Sequence, residues 1–246
     1  MRPLKSGSPV PFALGHEGHL HLSDLSAWLE RRNKLVLAVA ATLVHGLLYG
    51  LPNRIHLAPP MQLPMTWVDR AVPFIPQAFW LYLSDYLLVF VCFLLCQKPG
   101  SAARFIHAFM TAVAVATLVH WLWPTIYPRE AFPVPADASP FMHWVVARFR
   151  EVDSPASCMP SLHVATAFLS AFAVVWEGDR RAPALLAWAA LIWASTLATK
   201  QHYLMDGVAG LLLALFVWAL YYGSHPRPEG VKEVPGARIF RQGSVL

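Results

Sequence analysis

Two histidines and a carboxylate set the chemistry open to this sequence. His202 and Asp206 are spaced i, i+4, so on a helix they share a face. A carboxylate there can accept one imidazole N–H and fix the tautomer, which leaves the other ring nitrogen free as a nucleophile. His163 lies in the run Cys158-Met159-Pro160-Ser161-Leu162-His163. Pro160 suits the first turn of a helix. Ser161 would then sit among backbone N–H groups that lack intrahelical partners, which is an anion site. His163 follows closely enough to protonate a leaving oxygen. Arg129 and Lys200 supply cations for the oxygens of a phosphoryl group in transfer. Two histidines, one carboxylate and two cations describe covalent phosphoryl transfer through a phosphohistidine, with no cofactor and no metal. A metal centre is the rival chemistry, because histidines and a carboxylate also bind zinc or iron; nearby cations oppose it.

The elements that position these groups must be membrane helices. The 246 residues are 57% hydrophobic and 13% charged, against about 25% charged in an ordinary soluble domain. Mean hydropathy is +0.46. This composition excludes a soluble enzyme, a disordered chain and a nucleic-acid-binding module. A spanning helix needs roughly 20 apolar residues. Six runs are candidates: Leu35 to Leu51, about Gln77 to Cys96 with an interruption at Asp85, Phe105 to Tyr127, Pro160 to Trp176, Ala182 to Thr199, and about Tyr203 to Tyr222. Three domains of the chain follow: an N-terminal segment (1–34) with an interfacial helix, a six-span domain (35–222) and a tail (223–246).

Basic residues orient the spans. With the N-terminus in the cytoplasm, 13 of the 19 Lys and Arg fall on the inner side and six outside. Both termini are then cytoplasmic. Arg129, Ser161, His163, Lys200, His202 and Asp206 gather at one outer face, since the 39 positions from His163 to His202 suffice to cross the bilayer and return. Thirteen of the 21 prolines collect in two outer segments, 52–76 and 124–160, which should be stiff and irregular. Trp121, Trp123 and Tyr127, and at the other end Trp218, Tyr221 and Tyr222, read as aromatic belts. Two amphipathic stretches could lie flat at the surface: Leu22, Leu25, Trp28 and Leu29 before Arg31 and Arg32, and a helix opened by Ser139 and Pro140 that carries Phe141, Trp144, Val145 and Phe149.

The motifs resemble those of the type 2 phosphatidic acid phosphatase superfamily of membrane lipid phosphatases and phosphotransferases. Its Pro-Ser-x-His motif is met by Pro160, Ser161 and His163, with Leu162 at the variable position. Its motif of Ser-Arg, five residues, His, three residues, Asp is met by Ser195, His202 and Asp206, with Thr196 in place of Arg. Of its motif Lys, six residues, Arg-Pro, Arg129 is present, while Leu122 and Glu130 replace Lys and Pro. The form Pro-Ser-Leu-His with His-Tyr-x-x-Asp looks nearer the branch that includes inositol phosphorylceramide synthase and its bacterial relatives. The resemblance implies an all-α polytopic membrane protein with a six-helix bundle. It implies a phospholipid or lipid phosphate substrate and no nucleic-acid partner. His202 would be the nucleophile, Asp206 its orienting partner and His163 the acid and then base, with Ser161, Arg129 and Lys200 on phosphate. The location implied is the bacterial inner (plasma) membrane, with the site on its periplasmic face. The alternative is a non-catalytic membrane protein or transporter that retains the fold.

Other polar residues carry blander expectations. His45, His56, His107, His120 and His143 read as satisfied interfacial residues, and Cys92 and Cys96 as packing. Arg148 and Arg150 read as surface anchors. Asp85, an ionisable group inside a span, reads as a structural polar contact, with a functional role as the alternative. His16, His19 and His21 read as part of a polar tail.

Overall fold

A computed structural model describes residues 34–50, 57–98, 100–153 and 156–223. The described chain is mostly helical. Its helices are α1 (Lys34–Gly50), α2 (Trp67–Ala71), α3 (Phe79–Leu83), α4 (Asp85–Leu95), α5 (Ser101–Leu122), α6 (Pro140–Val152), α7 (Leu162–Glu177), α8 (Ala182–Ala198) and α9 (Leu204–Trp218). Among the described residues, three stretches are long and apolar enough to cross a bilayer: Pro76–Leu95, Ser101–Leu122 and Leu204–Gly223. Lys34–Leu48, Leu162–Glu177 and Ala182–Ala198 are shorter apolar helices. Leu43, Leu47, Leu122, Leu212 and Phe216 are all more than half exposed, as an integral membrane protein requires of its lipid-facing surface. The tails, including the amphipathic stretch at Leu22 to Leu29, the His16, His19 and His21 group and also His56, lie outside the described residues.

The core is built around α7, which is buried almost all round and packs against α9, α8, α4 and α5, while α1 lies on α5. A helix apolar on every face belongs inside a bundle. In lipid the hydrophobic effect does not pull helices together, so small residues must let backbones approach. Ala165, Ala167, Ser170, Ala171 and Ala173 do this on α7. The closest approach concerns the site. A Cβ at Gly210 of α9 would stand 2.5 Å from the Ser161 carbonyl oxygen. Only glycine there lets the start of α7 rest on α9, and the Ser161 N–H donates to the Asp206 carbonyl at 2.9 Å.

Several expectations need correction. The third apolar run forms a helix at Ser101–Leu122 and stops before Tyr127, because Pro124 disfavours helical backbone at Trp123. Tyr127 is buried against Tyr203, with ring centroids 4.6 Å apart, and is not a belt residue. Tyr222 is likewise buried, 5.5 Å from the Trp176 ring, with Arg104 over both rings. The second run breaks at Ser84, between α3 and α4, one residue before Asp85. Pro160 is not in the first helical turn; Ser161 is the N-cap and α7 begins at Leu162. The all-α reading omits one short parallel pairing of Met61–Gln62 with Thr125–Ile126, extended by a bridge from Thr125 to Ser157. Prolines near these segments favour extended backbone, and the pairing stitches the three segments together.

Ser139 caps α6 as expected, its Oγ accepting from Met142 N at 3.3 Å. The α6 stripe divides between two faces. Phe141 and Trp144 are exposed, whereas Met142, Val145 and Val146 pack on Phe79 and Tyr82. Thus α6 covers the start of the second run.

Candidate active site

The fold brings His163 and His202 together, with ring centroids 6.1 Å apart. Both are buried. His202 belongs to a short turn between α8 and α9. Its Nδ1 lies 3.2 Å from the Cys158 carbonyl oxygen and 3.4 Å from Asp206 Oδ2. Both neighbours accept, so the proton is on Nδ1 and Nε2 is bare. Asp206 Oδ2 also accepts from Tyr203 N at 2.8 Å and caps α9. The i, i+4 relation thus holds in space, although helix α9 itself begins two residues after His202.

On α7, His163 is the second helical residue. The Tyr82 hydroxyl lies 3.1 Å from its Nδ1 and the two tilted rings have centroids 4.1 Å apart, while Nε2 has no hydrogen-bond partner. Ser161 Oγ accepts from Val164 N. A hydroxyl that accepts in this way still has its own proton to give. The N–H groups at the start of α7 precede the first intrahelical bond and point outward from the helix.

Arg129 is buried. Its Nη1 donates to the Asp153 carbonyl and its Nη2 to Asp153 Oδ2, both at 2.7 Å, and its Nε has no partner. Arg129 and Asp153 are both within electrostatic reach of His163.

Lys200 is not brought to the histidines. Its backbone is left-handed (φ 55°) and its Nζ donates to the carbonyls of Asp69 and Val72. A non-glycine residue in that region costs about 1–3 kcal/mol and persists only where its surroundings hold it. What holds it is α2. Asp69 closes a capping box with Thr66, and its Oδ1 accepts from Leu204 N, the first residue of α9, at 2.7 Å. Lys200 and Asp69 therefore tie the His202 turn to α2. Burial lowers the Lys200 ammonium below its ordinary range.

Tyr82, Asp153, Asp69 and His120 had no signal in the motifs. His120 is buried and its Nε2 donates to the Pro160 carbonyl at 3.0 Å, which steadies the segment leading into Ser161. The departures from the motif pattern are structural. Leu122 is exposed at the end of α5, outside the site. Thr196 is buried and donates to the Trp193 carbonyl, while its own carbonyl accepts from His202 N.

Cys158, His202 and Asp206 present atoms within 4.8 Å of one another that could hold a metal ion. The fit is poor. Burial pushes the Cys158 thiol well above its usual range, and a metal needs the thiolate. His202 Nδ1 is also already committed to two oxygens.

Compared with known families, the chain matches the profile described as the PAP2 superfamily over residues 46–220. A comparison with curated proteins gave no match.

Proposed function

The chain belongs to the PAP2 superfamily, the type 2 phosphatidic acid phosphatases, and on that premise we propose that it transfers a phosphoryl group from a membrane lipid through a phosphohistidine on His202. One observation carries this reading: the two histidine rings lie 6.1 Å apart, with the Nδ1 of each held by a neighbour and His163 Nε2 without a hydrogen-bond partner. A bare Nε2 on His202 attacks phosphorus. The bond to the departing oxygen breaks, and His163, which enters this step as an imidazolium with Nδ1–H donated to Tyr82, delivers its Nε2 proton to that oxygen. In the second half, water or a lipid alcohol gives its proton to His163 and attacks phosphorus, and the bond to His202 breaks. Ser161 Oγ, the free N–H groups at the start of α7 and Arg129 Nε receive the phosphoryl oxygens. Asp206 stabilises the imidazolium that forms. Lys200 supports the turn from behind.

The finer reading is a transferase near the inositol phosphorylceramide synthase branch, for the Pro-Ser-Leu-His and His-Tyr-x-x-Asp forms noted above. The proposed topology has six spans in a bacterial inner membrane, both termini cytoplasmic and the histidines outside. The test uses the purified full chain with lipid phosphates and phospholipids, with and without alcohol acceptors, and identifies products by mass. Release of phosphate or a monoester marks a phosphatase; a new phosphodiester lipid marks a transferase. Vanadate should inhibit and EDTA should not. Loss of activity with EDTA would overturn metal-independent transfer. No turnover with any lipid would favour a non-catalytic protein that retains the fold.

A further inference from the structure

A cavity of about 290 Å³ lies between α1, α4 and α5. Its walls are apolar over most of their extent, including Ala41, Phe90, Phe93, Phe105 and Ile106. Thr42 and Phe90 are exposed at its rim, so it meets the lipid-facing surface. Its volume is close to the lower end of the ~300–1,000 Å³ typical of small-ligand sites. The polar end of its lining is Asp85, His45 and Thr166.

The same three residues, with Tyr86, Leu162 and His163, line an adjoining void of about 30 Å³. That is about the share of one water molecule. The apolar cavity therefore leads to the acid–base histidine. Asp85 stands at the junction. It is buried, its Oδ2 takes Thr166 Oγ1 at 3.3 Å, and its Oδ1 has no partner. A buried carboxyl oxygen without a hydrogen bond is rare in a folded protein and calls for a partner.

The partner's chemistry follows from charge and place. The lining of both spaces holds no lysine or arginine to meet a phosphate, so the phosphorylated head does not lie here. A neutral donor on a hydrocarbon chain fits both the oxygen and the apolar walls. We propose that this cavity is the subsite for the lipid alcohol that leaves or receives the phosphoryl group, and that Asp85 Oδ1 accepts a hydrogen bond from a second neutral donor, a hydroxyl or an amide N–H, beside the reacting hydroxyl. The alcohol reaches the subsite sideways from the bilayer, at Thr42 and Phe90. This rests on the reading of His163 as the acid–base group. Within it, the substrate class narrows to lipid alcohols that carry two donors.

The experiment is photo-crosslinking on the full chain in uncharged detergent, separate from turnover. The probes are a long-chain monoacylglycerol and an N-acylethanolamine, each with a diazirine in the chain, and the matching methyl ester as control. Labels mapped by mass spectrometry should fall on Phe90, Phe105 and Ile106, in wild type and in His202→Ala alike. Asp85→Ala should weaken labelling by both two-donor probes roughly tenfold, the equivalent of one lost hydrogen bond, and leave the ester unchanged. Ala41→Phe should suppress labelling by all three. Should that variant fail to fold, Asp85→Ala decides alone. Labels elsewhere, or equal labelling by two-donor probe and ester, would overturn the subsite. Labelling as expected in a protein without turnover would leave the lipid subsite standing and overturn the enzymatic reading. A stronger effect of Asp85→Ala on one probe tells hydroxyl from amide.

Discussion

The two histidines sit in differently built halves of one site. The His202 half is tied down by the backbone. The Cys158 carbonyl and Asp206 hold the ring, Tyr203 N and Ser161 N donate to Asp206, and Asp69 with Lys200 anchors the turn from behind. The His163 half is held by side chains and adjoins empty space. Its ring rests on Tyr82, and voids of about 30 and 290 Å³ follow one another beyond it. Bare polar atoms occur in both, Asp206 Oδ1 and Gln201 Oε1 in the first, His163 Nε2 and Asp85 Oδ1 in the second. In the second they border open volume. A nucleophile gains from being held still, because misplacement by even an ångström is costly to rate. The group that exchanges protons with a lipid must leave room for it. The contrast predicts that perturbing the first half abolishes or cripples transfer, whereas perturbing the second tunes it.

The largest effect tests the nucleophile. His202→Ala should lower turnover by about 10⁴-fold or more, as removal of a covalent catalyst does, with thermal stability and lipid binding little changed. Residual activity within tenfold of wild type would break the contrast at its root. Asp206→Asn should come next, at about 10²-fold, short of the ~10⁴ seen where a carboxylate alone sets the tautomer. The reason is the Cys158 carbonyl, which also accepts from Nδ1 at 3.2 Å and keeps the proton in place. A loss as large as that of His202→Ala would mean that the carbonyl contributes nothing.

The difference between the halves also explains which residues were legible in the sequence. His202 with Asp206 and Ser161 with His163 are near neighbours in the chain, so helical spacing and caps place them before any tertiary contact is known. The apolar runs showed the core helices in the same way. Their ends were less clear, because Pro124 ends α5 and Ser84 interrupts the second run through local backbone rules that composition does not register. Tyr82 and Asp153 lie 81 and 24 residues from their partners, and nothing periodic links such positions. Lys200 was read by charge alone. Its left-handed backbone and the α2 carbonyls, which turn it away from the histidines, exist only in the folded chain.

Asp69 offers a smaller test of the anchored half. Asp69→Ala leaves Leu204 N and the Thr66 cap without their acceptor. The expected loss is about 2–3 kcal/mol for unsatisfied donors and a lost cap, seen as a lower Tm in detergent. Activity should fall with it, since the turn that carries His202 loses its anchor on α2. Asp69→Asn retains an acceptor and should recover most of the Tm. Equal Tm values for Asp69→Ala and wild type would show that α2 is decoration on the turn.

Tyr82→Phe is the mildest change and the one that separates positioning from packing. Phenylalanine keeps the ring that lies against His163 and meets Phe79 and Phe149. It removes the hydroxyl 3.1 Å from Nδ1. With Nδ1–H donated to that hydroxyl, Nε2 is the nitrogen that takes and returns the proton; without it the ring can tilt and the tautomers become closer in energy. A loss of one hydrogen bond is about 1 kcal/mol, so kcat should fall roughly five- to tenfold. Because Tyr82 does not line the subsite cavity, KM should stay within about twofold, the pattern of an interaction that matters in the transition state alone. Tm should be unchanged. A fall in Tm with kcat intact would assign Tyr82 to packing, and the second half of the site would then orient its histidine by Leu162 and the helix start rather than by a side chain from across the bundle.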